Sequence, residues 1–175
     1  MALPSVRVTV PQGTPAELPP AYRLQNPVDW DFRWTPRAPE RVPGEQAVEW
    51  LRGQDEPKVA ELLDLASRRT SARPGDADVR RWAGIGGAGG RLDACAADAS
   101  AAPGVGHISA IATRPECRGL GLGTAITAWV TRQLLVEFDI VTLGLYADNP
   151  TARRLYDRLG YVDEHHFTSG ELVHS

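Results

Sequence analysis

Between Thr113 and Gly123 the chain reads Thr-Arg-Pro-Glu-Cys-Arg-Gly-Leu-Gly-Leu-Gly, which places Arg118 before three alternate glycines. Such a segment suits an anion. Glycines let backbone N–H groups approach a phosphate without intervening side chains, and a helix opening there adds unpaired donors and the positive end of its dipole. A tight turn that uses glycine only for its backbone is the other reading of the same letters. Spacing excludes two common phosphate loops. The dinucleotide fingerprint needs a further glycine three residues after the second, where Gly119-x-Gly121 leads to Thr124 and Gly121-x-Gly123 leads to Ile126. The triphosphate loop needs Gly-Lys-Ser/Thr, and Lys58 is the only lysine in the chain.

The elements that must position this loop are legible on both sides. Gly106 to Ala112 reads as a strand, with Ile108, Ala110 and Ala112 on one face and His107, Ser109 and Ile111 on the other. Leu122, Ile126, Trp129, Val130 and Leu134 recur at helical spacing after it. Val141 to Tyr146 reads as the next strand, and Asn149-Pro150 opens a helix with Asn149 as N-cap and Pro150 at the first helical position.

Arg118-x-x-Gly121-x-Gly123 resembles the acyl-CoA pyrophosphate loop of the GNAT superfamily of N-acyltransferases. Downstream, Asn149, Ala152, the Leu155-Tyr156 pair and Gly160-Tyr161 match the family's residues at the family's spacing, and the resemblance covers roughly residues 79 to 167. It implies a mixed, mostly antiparallel sheet flanked by helices, an α/β (α+β) fold that holds CoA between two splayed central strands. It further implies an acyltransferase that uses acetyl-CoA. By the same resemblance the backbone of Ile111, Ala112 and Thr113 would line the pantetheine. Arg118, Gly119, Leu120, Gly121, Leu122, Gly123 and Thr124 would line the pyrophosphate, and Asn149 would bond the CoA arm. Tyr156 matches the position of the family's proton-donating tyrosine, with packing of its helix as the alternative.

The chemistry sets two demands. An alkylammonium with a pKa near 10.4 is neutral about once in 2,500 at pH 7, a penalty of ~4.6 kcal/mol unless a base or water chain takes the proton. The departing thiolate needs an acid, and a phenol near pKa 10 is close enough to serve. His107 and Ser109 fall where arylalkylamine N-acetyltransferases, a GNAT branch, place two histidines; only the first is histidine here. His107 is thus the candidate base, with a structural histidine as the alternative. Ser109, Tyr146 and Asp148 are candidate acceptor contacts by the same analogy. Ribosomal-protein N-terminal acetyltransferases usually carry Leu-Glu-Val-Arg before the Asn, and this chain has Leu143-Gly144-Leu145-Tyr146. That departure argues against a protein N-terminus and leaves lysine or peptide acetylation and small-amine acetylation both open; a small-molecule amine is the expected acceptor, with a protein or peptide lysine or N-terminus as the alternative. A non-catalytic acyl-CoA-binding module is the competing class. No activated cysteine or serine dyad suggests a covalent acyl-enzyme.

The chain's 175 residues suit one main domain, residues 45–175, preceded by a Pro-rich extension over 1–44. In that extension Trp30-Asp31-Phe32-Arg33-Trp34 alternates like one strand with a buried aromatic face; a substrate wall or a homodimer contact would use the same stripe. A net charge of −3 gives no basic footprint for nucleic acid. The sequence lacks a leader-like pattern and any apolar run near ~20 residues, so no membrane partner and a cytoplasmic location are expected. No Cys/His spacing suggests a metal. Cys95 reads as core packing, Cys117 as a tolerated substitution or a redox switch in the loop, and His165-His166 as exposed polar residues. Pro57 to Arg69 reads as a helix with Val59, Leu62, Leu63 and Ala66 inward, and residues 79–85 and 91–97 as strands joined by Gly86 to Gly90.

Overall fold

The computed structural model describes residues 6–14 and 18–174, apart from the side chains of Asp163 and Glu164; parts of the extension and the final residue thus lie outside it. The elements are β1 (Val6–Pro11), β2 (Tyr22–Thr35), β3 (Val48–Trp50), α1 (Glu56–Ala66), β4 (Arg81–Gly86), β5 (Leu92–Asp98), β6 (Val105–Thr113), α2 (Leu122–Leu134), β7 (Ile140–Tyr146), α3 (Pro150–Arg158) and β8 (Val162–His174). They build one eight-stranded sheet in the order β1-β8-β2-β7-β6-β5-β4-β3. Every pairing is antiparallel except β6 with β7. A parallel pair needs a crossover, and α2 supplies it. The mostly antiparallel sheet flanked by helices agrees with the expected fold class.

The two faces of the sheet bury separate apolar clusters. Val59, Leu62 and Leu63 of α1 pack with Trp82, Leu92, Cys95, Ala97 and Ala112 on one face. Ala125, Ile126, Val130 and Leu134 of α2, with Tyr156 of α3, pack against Ile108, Val141, Leu143 and Leu145 on the other. Burying such aliphatic side chains stabilises by about 1.5–3 kcal/mol each, which holds both helix layers on the sheet. The inward face of α1 is as its periodicity predicts. The helix ends at Ala66, short of Arg69, because Ser67 leaves helical space at φ −151° and ψ 63°. Gly86 to Gly90 makes the β4–β5 hairpin loop, closed by Gly87 N–H donating to Arg91 O at 2.9 Å.

The region before Gly44 departs from expectation in two ways. It supplies two strands rather than one, and β2 lies inside the sheet between β7 and β8. The alternation of Trp30 to Trp34 is real, yet the charged face is the more buried one, with Asp31 4% and Arg33 2% exposed. Arg33 donates to Asp157 at 2.6 Å, Tyr161 O at 2.8 Å and Arg153 O at 3.2 Å, while Asp31 pairs with Arg153 and His166. These bonds fasten β2 to α3 and leave the aromatic face half-buried on the opposite side of the sheet.

Candidate functional site: a cleft between parting parallel strands

The parallel ladder is short. β6 and β7 pair from Val105/Ile140 through Ile108/Leu143 and no further, although β6 continues to Thr113 and β7 to Tyr146. Beyond that point the two facing edges have left the ladder, and their N–H and C=O groups are available to an extended ligand that carries amides of its own. A cavity of about 420 Å³ occupies the fork. It reaches both faces of the sheet: His107, Ser109, Gly144 and Tyr146 line it, as do Ala152 and Tyr156 of α3.

A bulge shapes the β6 side. Cys95 pairs with Ala112 and Ala97 with Ser109, so β6 fits one more residue than β5 into this interval. Ala110 takes up the irregularity at φ 50°, a left-handed conformation that costs a residue with Cβ roughly 1–2 kcal/mol. The expected alternation fails here: Ile111 joins Ile108 at the α2 face, whereas Ala110 and Ala112 pack toward α1. The strain sits in residues that line the cavity.

The glycine loop forms the N-terminal end of α2. Gly121 is its N-cap at φ 81°, ψ 0°, and Gly119 has φ 79°, both in the region that L side chains rarely adopt. A Cβ at either glycine would project into open space, and α2 has no side-chain cap. The backbone at Gly119 and Gly121 is therefore uncovered at the positive end of a 13-residue helix, with the exposed Leu120 side chain between them. A Cβ on Gly123 would lie 3.4 Å from Thr113 Oγ1 and from Leu155 Cδ1, so this glycine serves close packing of the loop on β6 and α3. Arg118 donates to Ala66 O at 3.3 Å and ties the loop to the end of α1. Arg118, Gly119, Leu120, Gly121, Leu122, Gly123 and Thr124 do not line the cavity, and neither do Ala112 and Thr113.

On α3, Asn149 Oδ1 accepts from Ala152 N–H at 3.0 Å, the capping role its sequence predicts. Tyr156, one turn further on, is 6% exposed and stacks obliquely on Tyr161 at 5.9 Å between ring centroids. Burial pushes its phenol up to about 12, opposed by the Arg33 charge. It thus stays protonated across the working pH range.

His107 belongs to a bonded chain that sequence reading missed. Its Nδ1 lies 2.9 Å from Thr142 Oγ1, on the residue opposite it in the β6–β7 ladder. Thr142 has one hydroxyl proton and donates it to Gly106 O at 3.0 Å, so toward His107 it accepts. The proton on the neutral ring is then at Nδ1, and Nε2 keeps its lone pair. Burial lowers the His107 pKa below 6.5, with the Asp98 charge acting in the opposite sense. The imidazole is therefore neutral at pH 7.

Of the candidate acceptor contacts, Ser109 and Tyr146 line the cavity and Asp148 does not. Tyr146 donates its hydroxyl to Arg69 O, and the Arg69 guanidinium stacks 4.5 Å from its ring centroid. Asp148 is held by that same Arg69 at 3.1 Å. Residues 67–71, after α1, contribute Ser67, Thr70 and Ser71, and β2 contributes Val28, Trp30 and Phe32. No periodic signal marks Thr142 or the loop after α1; Trp30 and Phe32 belong to the aromatic stripe for which packing, a substrate wall and a homodimer contact are the expected uses. Cys95 is buried with its thiol pushed up to about 12. Cys117 is also buried, and burial together with Asp93 raises its pKa, an environment that disfavours a reactive thiolate. Among the described residues no group of acidic, cysteine or histidine side chains could hold a metal, and no helix is long and apolar enough to cross a membrane.

Comparison with known proteins agrees with this geometry. The family model described as FR47-like protein matches residues 84–168. An uncharacterized N-acetyltransferase of Methanocaldococcus jannaschii is 39% identical over 62 residues, 34% of this chain and 40% of that protein. A mycothiol acetyltransferase of Paenarthrobacter aurescens is 38% identical over 61 residues, 34% of this chain and 19% of that protein. The matches thus span less than half the length of these curated relatives. Among solved structures, a GNAT-family protein from Novosphingobium aromaticivorans superposes with a TM-score of 0.80 at 24% identity, over 98% of this chain and 74% of that one. The ribosomal-protein-S18-alanine N-acetyltransferase of Escherichia coli gives a TM-score of 0.53 at 16% identity, over 73% of this chain and 92% of that one. With its forked parallel pair and glycine-capped crossover helix, the chain is similar to the FR47-like model over residues 84–168 and shares the fold of GNAT-family acetyltransferases.

Proposed function

We propose that the protein transfers the acetyl group of acetyl-CoA directly to the primary amine of a small molecule. The observation that carries this reading is the fork: a parallel pair that stops at Ile108/Leu143 opens a cavity beside unpaired strand edges, and the loop that follows β6 opens α2 with a glycine N-cap. These features fit the parts of CoA. The edges of β6 and β7 suit the amides of the pantetheine arm, and the Gly119–Gly123 backbone with Arg118 suits the pyrophosphate.

Acetyl-CoA supplies a thioester whose acyl carbon the amine attacks. His107 Nε2 is the group that accepts a proton from the amine, directly or through water, because its lone pair is free and Thr142 fixes the ring. Tyr156 is the group that donates a proton to the departing sulfur, being protonated and beside the cavity. Ser109 and Tyr146 are acceptor contacts. Asp148 acts through Arg69, which it holds over the Tyr146 ring.

The experiment is thiol release from acetyl-CoA over a panel of amines, beside CoA binding measured by calorimetry. The reading expects amine-dependent thiol release with an N-acetyl product. CoA binding without turnover of any amine would indicate a binding module instead.

A further inference from the structure

We propose that the acceptor is a primary amine attached to a flat apolar body and carrying no second positive charge. The proposal rests on the transfer reading for the amine, and on the far wall of the cavity for the rest.

That wall comes from β2. Trp30 and Phe32 line the cavity with Val28, across the sheet from the charged face that grips α3. Phe32 pairs with Gly144 and Trp30 with Tyr146 in the β2–β7 ladder. A Cβ on Gly144 would lie 3.6 Å from Trp30 Cε3 and 3.7 Å from Cζ3, so the glycine leaves that edge of the indole uncovered. The single polar atom of the indole is already used: Nε1–H donates to Ser169 Oγ at 2.8 Å, and Ser169 Oγ bonds Thr9 Oγ1 at 2.7 Å. The ring is thereby fixed; Phe167 already packs against it at 4.9 Å between ring centroids, and the edge left beside Gly144 offers the cavity carbon only, a surface that favours an edge-on aromatic or apolar partner.

Charge points the same way. Among the described residues the cavity lining includes Arg7 and not one carboxylate. The nearby Asp148 is neutralised by Arg69, and that guanidinium also covers the Tyr146 ring. A diamine, a polyamine or a basic peptide would bring a second ammonium into a space where the described residues place one cation and no anion to pair it. A neutral or anionic substituent meets no such penalty, and Ser71 and Ser109, 3.2 Å apart, can bond it.

The test uses the CoA-loaded protein with three probes: 2-phenylethylamine, 1,4-diaminobutane and a lysine-bearing peptide. Thermal protection of the CoA-loaded protein reports binding, and thiol release from acetyl-CoA, supplied in place of CoA, reports turnover. The proposal expects half-maximal protection by phenylethylamine at a concentration at least about tenfold below that for the diamine. Trp30→Ala should remove most of that difference, and Ser71→Asp, on an exposed loop, should shift the ranking toward the diamine. Equal or tighter binding of the diamine or the peptide overturns the proposal, as does a ranking that Trp30→Ala leaves unchanged or protection by none of the three. Protection by phenylethylamine without thiol release upholds the acceptor class while removing the transfer reading. Thiol release fastest with the diamine does the reverse.

Discussion

Thr142→Val isolates the chain that orients His107. Valine keeps the shape of threonine and removes the hydroxyl, so the His107 Nδ1–H loses its 2.9 Å acceptor in a buried setting. An unsatisfied buried donor costs about 1–3 kcal/mol. The ring escapes that cost by moving its proton to Nε2, the atom that the account needs bare, or by turning out of position. Either response should lower kcat/KM by roughly 5- to 150-fold, since each 1.36 kcal/mol is about tenfold. The melting temperature should fall by a few degrees, given about 2–4 °C per kcal/mol at this chain length. Thr142→Ser, which keeps the hydroxyl, should restore most of both. The decisive assay is the 15N shifts of the His107 ring at neutral pH. Wild type should show a protonated Nδ1 and a pyridine-like Nε2, and Thr142→Val should reverse or mix the two. A wild-type ring protonated at Nε2, or a Thr142→Val enzyme with reversed tautomer and undiminished kcat/KM, would refute the reasoning.

Four further outcomes follow from the same geometry. Tyr156→Phe should lower kcat by about 10²-fold or more while leaving the calorimetric CoA affinity within about twofold, as removal of a general acid does; an unchanged kcat assigns Tyr156 to packing against Tyr161. Gly121→Ala forces φ 81° on a residue with Cβ, at roughly 1–2 kcal/mol, and should weaken CoA about tenfold by calorimetry; unaltered affinity would remove the loop from the phosphate site. The acid limb of kcat/KM should lie below pH 6.5, because burial depresses His107, and Tyr156 at about 12 should give no alkaline limb below pH 10. The same depressed histidine binds fewer protons folded than unfolded, so its contribution to stability is full above pH 6.5 and falls as pH drops toward the folded value. Comparing urea midpoints of wild type and His107→Gln between pH 5 and pH 7 checks that sign.

Local rules made the loop and the cap of α3 legible. Gly121 stands where a left-handed N-cap is needed, and Asn149-Pro150 announces a helix start; neither depends on distant partners. What escaped reading depends on them. Alternation in β2 was visible, yet its buried side was inverted, because Arg33 and Asp31 find partners on α3 more than a hundred residues away. The bulge at Ala110 carries no glycine or proline to mark it, and it moves Ile111 to the other face of β6. Thr142 is an ordinary strand threonine until the ladder sets it against His107. The fork itself follows from where the β6–β7 pairing ends, which is a property of two strands and of neither alone.

The most direct test of the central claim is a single incubation of the purified protein with acetyl-CoA and the best-binding amine from the panel, read by mass spectrometry and thiol titration. The account predicts an N-acetylated amine formed in one-to-one ratio with free CoA, and no acetyl group left on the protein. CoA that binds while the amine stays unmodified, or an acetyl group retained on the protein, would contradict it.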